Sequence, residues 1–481
     1  MRPMTEPAPS VAAPAASPSA PLTRGQPLGE LKRFQLTLPF AGLAVYLWVI
    51  HSAKLPIASY AIALGLFGLL LQAQPLRFPV PLACFGGFFL WALITSPSAQ
   101  HPAATWDSLV DYGKLWLVFL LTCNVARSRR QLQALMITWL GIFALYPVRG
   151  TMFNFALGIG EFGRYAWNFF FSNPNDLAAL TLPILAMSIA VLQGEKHKKR
   201  FRDGGWVRMS ALAGVMVLPA LIFVTQSRGG ILALVTMALL VLVQYRRQAR
   251  SLAIGVLVAG VVALSAPAAV WTRLGGLAKA GDTSTLQQVD TEGSADQRFE
   301  IWRVAAAIIA DNPVTGVGLG GYPQSHVEYA QASRFAPVAR GTRDTHSIYL
   351  NVMAETGVVG LALLIAMLAS VLWQGWTTVK QLRISDPDAA KQVHTLLIGL
   401  IAFMQAGIFA SLHRVAFLYV YLGVLTTAIA VLGSQPAFAA PARQLVKKPG
   451  RGGGGRATAP SPRRQAPSSG HSRPSVRFPA R

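Results

Sequence analysis

The chain consists of long apolar runs separated by short polar stretches. About twelve runs have roughly the length that an α-helix needs to cross a bilayer, about 17 to 25 residues. They are continuously apolar rather than alternating, which favours helices over a β-barrel. The pattern therefore predicts an all-α, polytopic membrane bundle. The runs lie near residues 36–51, 55–73, 79–96, 108–125, 131–148, 175–193, 208–226, 229–245, 251–270, 347–376, 391–410 and 414–434.

Composition agrees with this class, because 53% of the 481 residues are hydrophobic and only 13% are charged. The net charge of +24 is typical of nucleic-acid binding, but the basic residues concentrate in loops and in a Gly/Pro/Ser/Arg-rich tail. We therefore expect contact with anionic membrane lipids and no nucleic acid. Cys84 and Cys123 fall within predicted spans, so we interpret them as small apolar side chains and not as a disulfide or metal pair.

The strongly basic loops alternate along the chain, which predicts that both termini lie in the cytoplasm. The first thirty or so residues lack the features of a signal peptide in their usual order, so we expect the first span to direct insertion. The segments predicted to lie outside are 97–107, 149–174, 227–228, 271–346 and 411–413. The predicted organisation is a disordered N-terminal tail (1–33), nine spans (34–270), an extracytoplasmic catalytic loop (271–346), three spans (347–436) and a disordered basic tail (437–481).

The polar interval 271–346 carries most of the candidate chemistry. Between Gln297 and Ala310, apolar residues recur at helical spacing up to a proline at position 313, which predicts a helix on or near the membrane surface. Arg303 follows Glu300 by three residues and can pair with it. Arg298 has no carboxylate at helical spacing, so it either binds an anion or extends to lipid headgroups.

A glycine-rich turn follows this helix, and Gly316–Gly321 formally matches the dinucleotide fingerprint G-x-G-x-x-G. A helix and a proline precede it instead of a strand, and the loop is predicted to lie outside, which excludes a nicotinamide site. The turn indicates a close approach of backbone to another element. The four acidic residues at positions 282, 290, 292 and 296 are scattered, and we expect them to solvate the segment rather than to bind a metal.

Two further polar residues lie at predicted span ends. His346 precedes the tenth span and follows Asp344, so it is a candidate general base or a polar cap. Arg228 lies in the sequence TQSRGG, where glycines allow a tight turn and a guanidinium at the bilayer boundary can bind a lipid phosphate or act as an interface anchor.

Taken together, these residues resemble the O-antigen ligase and polymerase superfamily, which are membrane glycosyltransferases that use polyprenyl-diphosphate-linked glycans. The resemblance covers about residues 170–435. Ser347 departs from it, because the family usually has asparagine after the histidine. The motifs that carry the resemblance are Asn173 to Leu177, Ser227 to Gly229, Arg298 to Trp302, Asn312 to Gly318, His346, Tyr349, Leu350, Glu355 and Gly357.

The resemblance implies transfer of a glycan from undecaprenyl diphosphate to an acceptor on the outer face of the bacterial cytoplasmic membrane, without metal, nucleotide sugar or other cofactor. It implies that His346 is catalytic and that Arg228 and Arg298 bind the diphosphate. Candidate supporting residues are Trp302, Arg303, Asp344 and Glu355.

The acceptor stays open among lipid A core for a ligase, a repeat unit for a polymerase, and protein for an O-oligosaccharyltransferase, with ligase preferred on family breadth. A secondary transporter with twelve helices is an alternative of another class. It would use ionisable groups inside the bilayer, where only Asp111 and Lys114 qualify, three residues apart and able to pair with each other. A non-catalytic scaffold would leave Arg228, Arg298 and His346 without a shared role.

Overall fold

A computed structural model describes residues 37–52, 55–72, 74–160, 163–168, 171–194, 205–245 and 294–433. The predicted tails (1–33 and 437–481), the predicted span 251–270 and the acidic residues at 282, 290 and 292 lie outside these residues. The helices are α1 (Leu38–Ser52), α2 (Ala58–Leu71), α3 (Val80–Thr95), α4 (Pro102–Val125), α5 (Arg129–Phe143), α6 (Arg149–Ala156), α7 (Pro174–Gly194), α8 (Gly205–Val224), α9 (Arg228–Tyr245), α10 (Ser294–Asp311), α11 (Tyr322–Tyr329), α12 (Ile348–Ser385), α13 (Pro387–Ala406) and α14 (Ala416–Gly433).

The predicted all-α membrane bundle is confirmed. Within the described ranges, eight helical stretches are long and apolar enough to cross a membrane, and α1 and α2 are shorter apolar helices. Every predicted run except 251–270 falls on one of the helices.

The centre of the bundle is formed by α7 and α14, whose side chains are mostly buried, and by α13, which packs along α7. Small residues allow this contact: a side chain at Gly399 of α13 would overlap Ala186 of α7. Close approach through small residues is how helices associate where lipid provides no hydrophobic driving force.

The segments predicted to lie outside meet at one end of the bundle. Gln100, between α3 and α4, donates its backbone N–H to Val317 (3.0 Å) and its side-chain amide to Asn312 (3.2 Å). Arg164 reaches the carbonyl oxygen of Thr225 (3.3 Å), and Ser411 donates to Asp344 (2.7 Å). These bonds join segment 271–346 to segments 97–107 and 411–413, and they join segment 149–174 to the residue two positions before segment 227–228. Arg164 also lines one pocket with Arg298 and His346, so the prediction of these segments to one side is consistent with the structure.

Predicted cytoplasmic loops also contact each other. Arg127 donates to the carbonyl oxygen of Pro75 (2.9 Å), and Arg129 pairs with Asp386 (2.6 Å). Basic loops that the sequence assigns to one side therefore share one end of the bundle. Which end faces the cytoplasm stays a prediction from the positive-inside rule.

Two helices depart from the simple spans that hydropathy predicts. The run 347–376 is interrupted at Gly357, whose φ of 66° is left-handed and whose added side chain would overlap the carbonyl oxygen of Val314. The run 131–148 continues from α5 through a π-helical turn, Ala144–Val148, into α6. Pro147 lies in that turn, and a proline removes one helical hydrogen bond.

The described part of the polar interval folds around a small core of its own. Val304, Ala305 and Ile308 of α10 pack with Tyr322, and with other buried residues of this interval and of α12. The helix predicted between Gln297 and Ala310 is present, and its apolar face is buried against protein. Its position on or near the membrane surface stays a prediction. Phe299, an apolar residue of the same helix, is 62% exposed.

Candidate active site

A polar cleft of about 520 Å³ opens at the end of the bundle where the predicted outside segments meet. This volume lies within the usual range for sites that bind small molecules. Arg298 and His346, which the sequence places 48 positions apart, both line it. The other lining residues are Arg164, Ser172, Asn173, Pro174, Asn175 and Gln297.

His346 occupies a strained position immediately before α12. Its φ is 50°, a left-handed conformation that is uncommon for residues other than glycine and that occurs preferentially at functional sites. Burial lowers the pKa of His346, and the positive charge of Arg298 lowers it further, while Asp344 opposes the shift. The imidazole is therefore neutral at neutral pH, which is the form that can accept a proton.

Arg298 lies in the first turns of α10, three and seven residues before the buried Ile301 and Ala305 and therefore on their side of the helix. Helical spacing alone missed a carboxylate near it, because that group comes from a different element. Asp176, in the first turn of α7, lies close enough to interact electrostatically with both Arg298 and Asp344. Arg298 thus faces an acidic protein group and the cleft.

Trp302 links α10 to the backbone beside His346. Its indole N–H donates to the carbonyl oxygen of Thr345 (2.8 Å), and its ring stacks on Phe409 at 6.3 Å between centroids. The hydroxyl of Thr345 in turn donates to the carbonyl oxygen of Ser347 (2.9 Å). Residues on both sides of His346 are therefore held in place.

Arg228 is the first residue of α9 and is not among the residues that line the cleft. The next residue, Gly229, packs on Phe409, such that an added side chain would lie 3.2 Å from that ring. Phe409 is also the ring that Trp302 stacks on. One aromatic residue therefore separates the start of α9 from the helix that carries Arg298.

Asp344 lies two positions before His346, and its carboxylate bonds residues on either side of the site. Its carboxylate accepts from Asn351 (3.0 Å) and from Ser411 (2.7 Å). Its effect on His346 is electrostatic. Asp344 thus ties the start of α12 to the segment that precedes α14.

Two other candidate supporting residues lie away from the cleft lining. Glu355 is fully buried and forms an ion pair with Arg414. Arg303 pairs with Glu300 at 2.8 Å, as predicted, with half of the arginine side chain exposed. The geometry assigns bracing contacts to both residues and no contact with the cleft.

The glycine-rich turn has the close backbone approach that we expected. The backbone N–H groups of Val317 and Gly318 donate to the carbonyl oxygens of Ala354 (2.9 Å) and Glu355 (3.0 Å). A side chain at Gly316 would overlap the backbone of Glu355, and one at Gly320 would overlap Ser108 of α4. The turn connects α10 to α12 and to α4, and it is a structural element.

Comparison with known proteins adds an independent observation. A family model described as O-antigen ligase matches residues 212–365. The match supports the O-antigen ligase superfamily that the sequence resembles. The matched range contains Arg228, Arg298 and His346, and it supports a membrane glycosyltransferase of the ligase or polymerase type. A search of curated proteins finds no match to the chain.

Several cleft residues lie outside the O-antigen ligase segment, and sequence reasoning assigned no role to most of them. Arg164 lies in the connection before α7, where no periodic pattern or neighbouring motif marks it. Asn173 and Asn175 belong to a motif that contributed to the resemblance, but their side chains were not predicted to line a site. Arg414 was missed as the partner of Glu355 because 59 positions separate the two residues.

The residues that would support a transporter do not form a comparable site. Lys114 and Asp111 pair with each other at 2.9 Å on α4, as considered from their spacing, and their side chains are 48% and 70% exposed. The two charges pair with each other, and neither residue is among those that line the polar cleft with His346. The O-antigen ligase segment and the polar cleft favour an enzyme.

Proposed function

We propose that the protein is an O-antigen ligase that transfers a glycan from an undecaprenyl-diphosphate carrier to lipid A core or a similar acceptor. The observation that carries the proposal is the shared cleft of Arg298 and His346 within the matched O-antigen ligase segment. Repeat-unit polymerisation and transfer to protein use the same donor chemistry and differ only in the acceptor.

In the proposed reaction, His346 accepts the proton of the acceptor hydroxyl or amine. The acceptor atom bonds to the anomeric carbon of the glycan, and the bond from that carbon to the diphosphate oxygen breaks. Its electron pair leaves with the diphosphate. The lowered pKa of His346 keeps the imidazole unprotonated before the reaction.

Arg298 and Arg228 have the proposed role of binding the diphosphate and stabilising the negative charge that develops as it leaves. Guanidinium groups suit this role because their planar N–H donors match phosphate oxygens in pairs. Removing one preorganised group that stabilises developing charge typically costs a factor of about 10² to 10³ in kcat. Arg228 would contact the diphosphate from the start of α9, beyond the described cleft lining.

The proposed location is the bacterial cytoplasmic membrane, with both termini in the cytoplasm and the cleft on the outer face. This orientation rests on the positive-inside rule applied to the basic loops. The contacts between Arg129 and Asp386 at one end, and between Ser411 and Asp344 at the other, agree with the predicted grouping of loops.

The test is a transfer assay with the full chain in nanodiscs and an undecaprenyl-diphosphate glycan as donor. Lipid A core, peptides and free glycans serve as acceptors, and the His346→Ala variant is compared with wild type. His394→Ala is the matched control, since His394 packs edge-on against Trp376 and is not among the residues that line the cleft.

We expect product on one acceptor class, loss of that product in His346→Ala and retention in His394→Ala. The acceptor that reacts identifies the branch. Wild-type transfer by a folded His346→Ala protein would contradict the assigned base, and absence of donor turnover on every acceptor would contradict the proposed activity.

A further inference from the structure

Arg164 lines the same cleft as Arg298 and His346, although it lies outside the matched family segment and far from both in sequence. We propose that Arg164 is an additional diphosphate-binding residue, which supplies a second guanidinium to the cleft wall itself. This inference rests on the proposed function, because it takes a lipid-linked diphosphate as the donor.

The guanidinium of Arg164 is held in a defined plane. Its Nη2 donates to the side-chain oxygen of Asn175 (2.8 Å), and its Nε donates to the carbonyl oxygen of Thr225 (3.3 Å). These two bonds fix the plane of the guanidinium at the cleft wall. Asn175 is itself fixed, because its backbone N–H donates to the side-chain oxygen of Asn173 (2.9 Å).

The segment around Arg164 is also connected to the turn that leads to Arg228. Gln226, with a left-handed φ of 51°, donates its side-chain amide to the carbonyl oxygen of Gly163 (2.6 Å). Together with the bond from Arg164 to Thr225, this contact docks the connection before α7 on the turn before α9. Arg164 is thus positioned relative to Arg228 by two hydrogen bonds.

The chemistry of the cleft wall fits a diphosphate joined to a sugar. Two guanidiniums, from Arg164 and Arg298, can each take one phosphoryl group, which a single arginine cannot do in bidentate fashion. The amides of Asn173 and Gln297 and the hydroxyl of Ser172 offer both donors and acceptors, as sugar hydroxyl groups require. A volume of about 520 Å³ is sufficient for both parts.

A purely structural role for Arg164 makes a different prediction. If Arg164 only braces the turn before α9, its loss lowers the stability of the protein and weakens the binding of every cleft ligand by the same factor. If Arg164 binds the second phosphoryl group, its loss weakens the binding of a diphosphate much more than the binding of a monophosphate. The ratio of the two affinities therefore distinguishes the roles.

The experiment measures binding of farnesyl diphosphate and farnesyl phosphate to the full chain in nanodiscs. We expect Arg164→Gln to weaken the binding of farnesyl diphosphate by about tenfold or more, because one charge-assisted contact is lost. The binding of farnesyl phosphate should weaken by less than about threefold. Arg149→Gln is the matched control, because Arg149 also donates Nε to a backbone carbonyl oxygen, that of Leu145 (3.1 Å), but does not line the cleft.

A second variant keeps the test decisive if Arg164→Gln does not fold. Asn175→Asp places a carboxylate against the guanidinium, which strengthens the brace and cancels the charge offered to the ligand. We expect an unchanged or higher melting temperature together with weaker farnesyl diphosphate binding. Asn173→Asp is the control for the added negative charge, because Asn173 lines the same cleft and bonds the backbone of Asn175. If Arg164 only braces the turn, Asn175→Asp weakens farnesyl diphosphate binding no more than Asn173→Asp does.

The outcomes separate this inference from the proposed function. If Arg298→Gln lowers the preference for diphosphate while Arg164→Gln leaves it at the wild-type value, Arg164 is structural and the donor class stands. If the wild-type protein does not prefer farnesyl diphosphate over farnesyl phosphate, the proposed donor class itself fails.

Discussion

The indole of Trp302 donates a 2.8 Å hydrogen bond to the carbonyl oxygen of Thr345, the residue immediately before His346. The same indole stacks on Phe409, which packs on the glycine after Arg228. Because Arg298 lies one helical turn before Trp302, a single side chain connects the three residues of the proposed chemistry. This connection explains how segments far apart in the sequence keep a fixed geometry.

Replacing Trp302 with phenylalanine removes the hydrogen bond to Thr345 and retains an aromatic ring against Phe409. We expect kcat for transfer to fall by about tenfold, since a small displacement of a catalytic group costs this much or more. The KM for the donor should change little, because Arg298 and the cleft wall remain. Steady-state kinetics in nanodiscs measure both constants.

The matched control is Trp373→Phe, because Trp373 is 72% exposed on α12. We expect wild-type kinetics from this variant. A Trp302→Phe enzyme with unchanged kcat would contradict the positioning role of the indole.

The helices were predictable because each apolar run is long enough to specify a span by itself. The grouping of loops at two ends was predictable for a related reason, since charge asymmetry depends on composition and not on contacts. The small core around Val304 and Tyr322 was not predictable, because short apolar segments in a polar interval are equally compatible with burial in protein and with the membrane surface.

The candidate site was predictable where a residue stands out locally, as Arg298 and His346 do in their motifs. It was not predictable where function depends on contacts between distant elements. Arg164 bonds Asn175, which lies 11 positions later, and Glu355 pairs with Arg414, which lies 59 positions later, in the connection before α14. The left-handed backbone of His346 likewise results from the packing around it and has no local signature.

The pH dependence of transfer should report the environment of His346. Burial and then Arg298 lower its pKa from the ordinary value of about 6.5, so the rate should fall only as the pH drops below that value and the base becomes protonated. Arg298→Gln removes a positive neighbour, which raises the pKa. We therefore expect the acidic limb of the kcat profile of this slower variant to move to higher pH.

Arg303→Gln is the control for the pH experiment, because Arg303 pairs with Glu300 on the exposed side of α10. Its acidic limb should coincide with that of wild type. A limb that stays in place or moves to lower pH in Arg298→Gln would show that Arg298 does not act on the general base.

The ion pair between Glu355 and Arg414 should matter more for stability than the pair between Glu300 and Arg303. Arg414→Ala leaves the fully buried Glu355 without its partner, which we expect to cost about 3 kcal/mol, at the low end for buried pairs because the Arg414 side chain is 36% exposed. Arg303→Ala breaks a surface pair, worth at most about 0.5 kcal/mol. Thermal unfolding in detergent should therefore show a much lower melting temperature for Arg414→Ala and a nearly unchanged one for Arg303→Ala. Equal small shifts in melting temperature would contradict the bracing role of the buried pair.

Gly357 should be among the glycines least tolerant of substitution, because two independent constraints act on it. Its left-handed φ of 66° costs a residue with a side chain about 1–3 kcal/mol, and an added Cβ would also overlap the carbonyl oxygen of Val314. Gly357→Ala should separate the glycine-rich turn from α12, lower the melting temperature and reduce the yield of folded protein. Gly141→Ala is the matched control: Gly141 lies within α5, no atom lies within 4 Å of its added Cβ, and alanine favours helices by about 0.5–1 kcal/mol over glycine. Equal melting temperatures for the two variants would mean that the turn can release α12 without loss of stability.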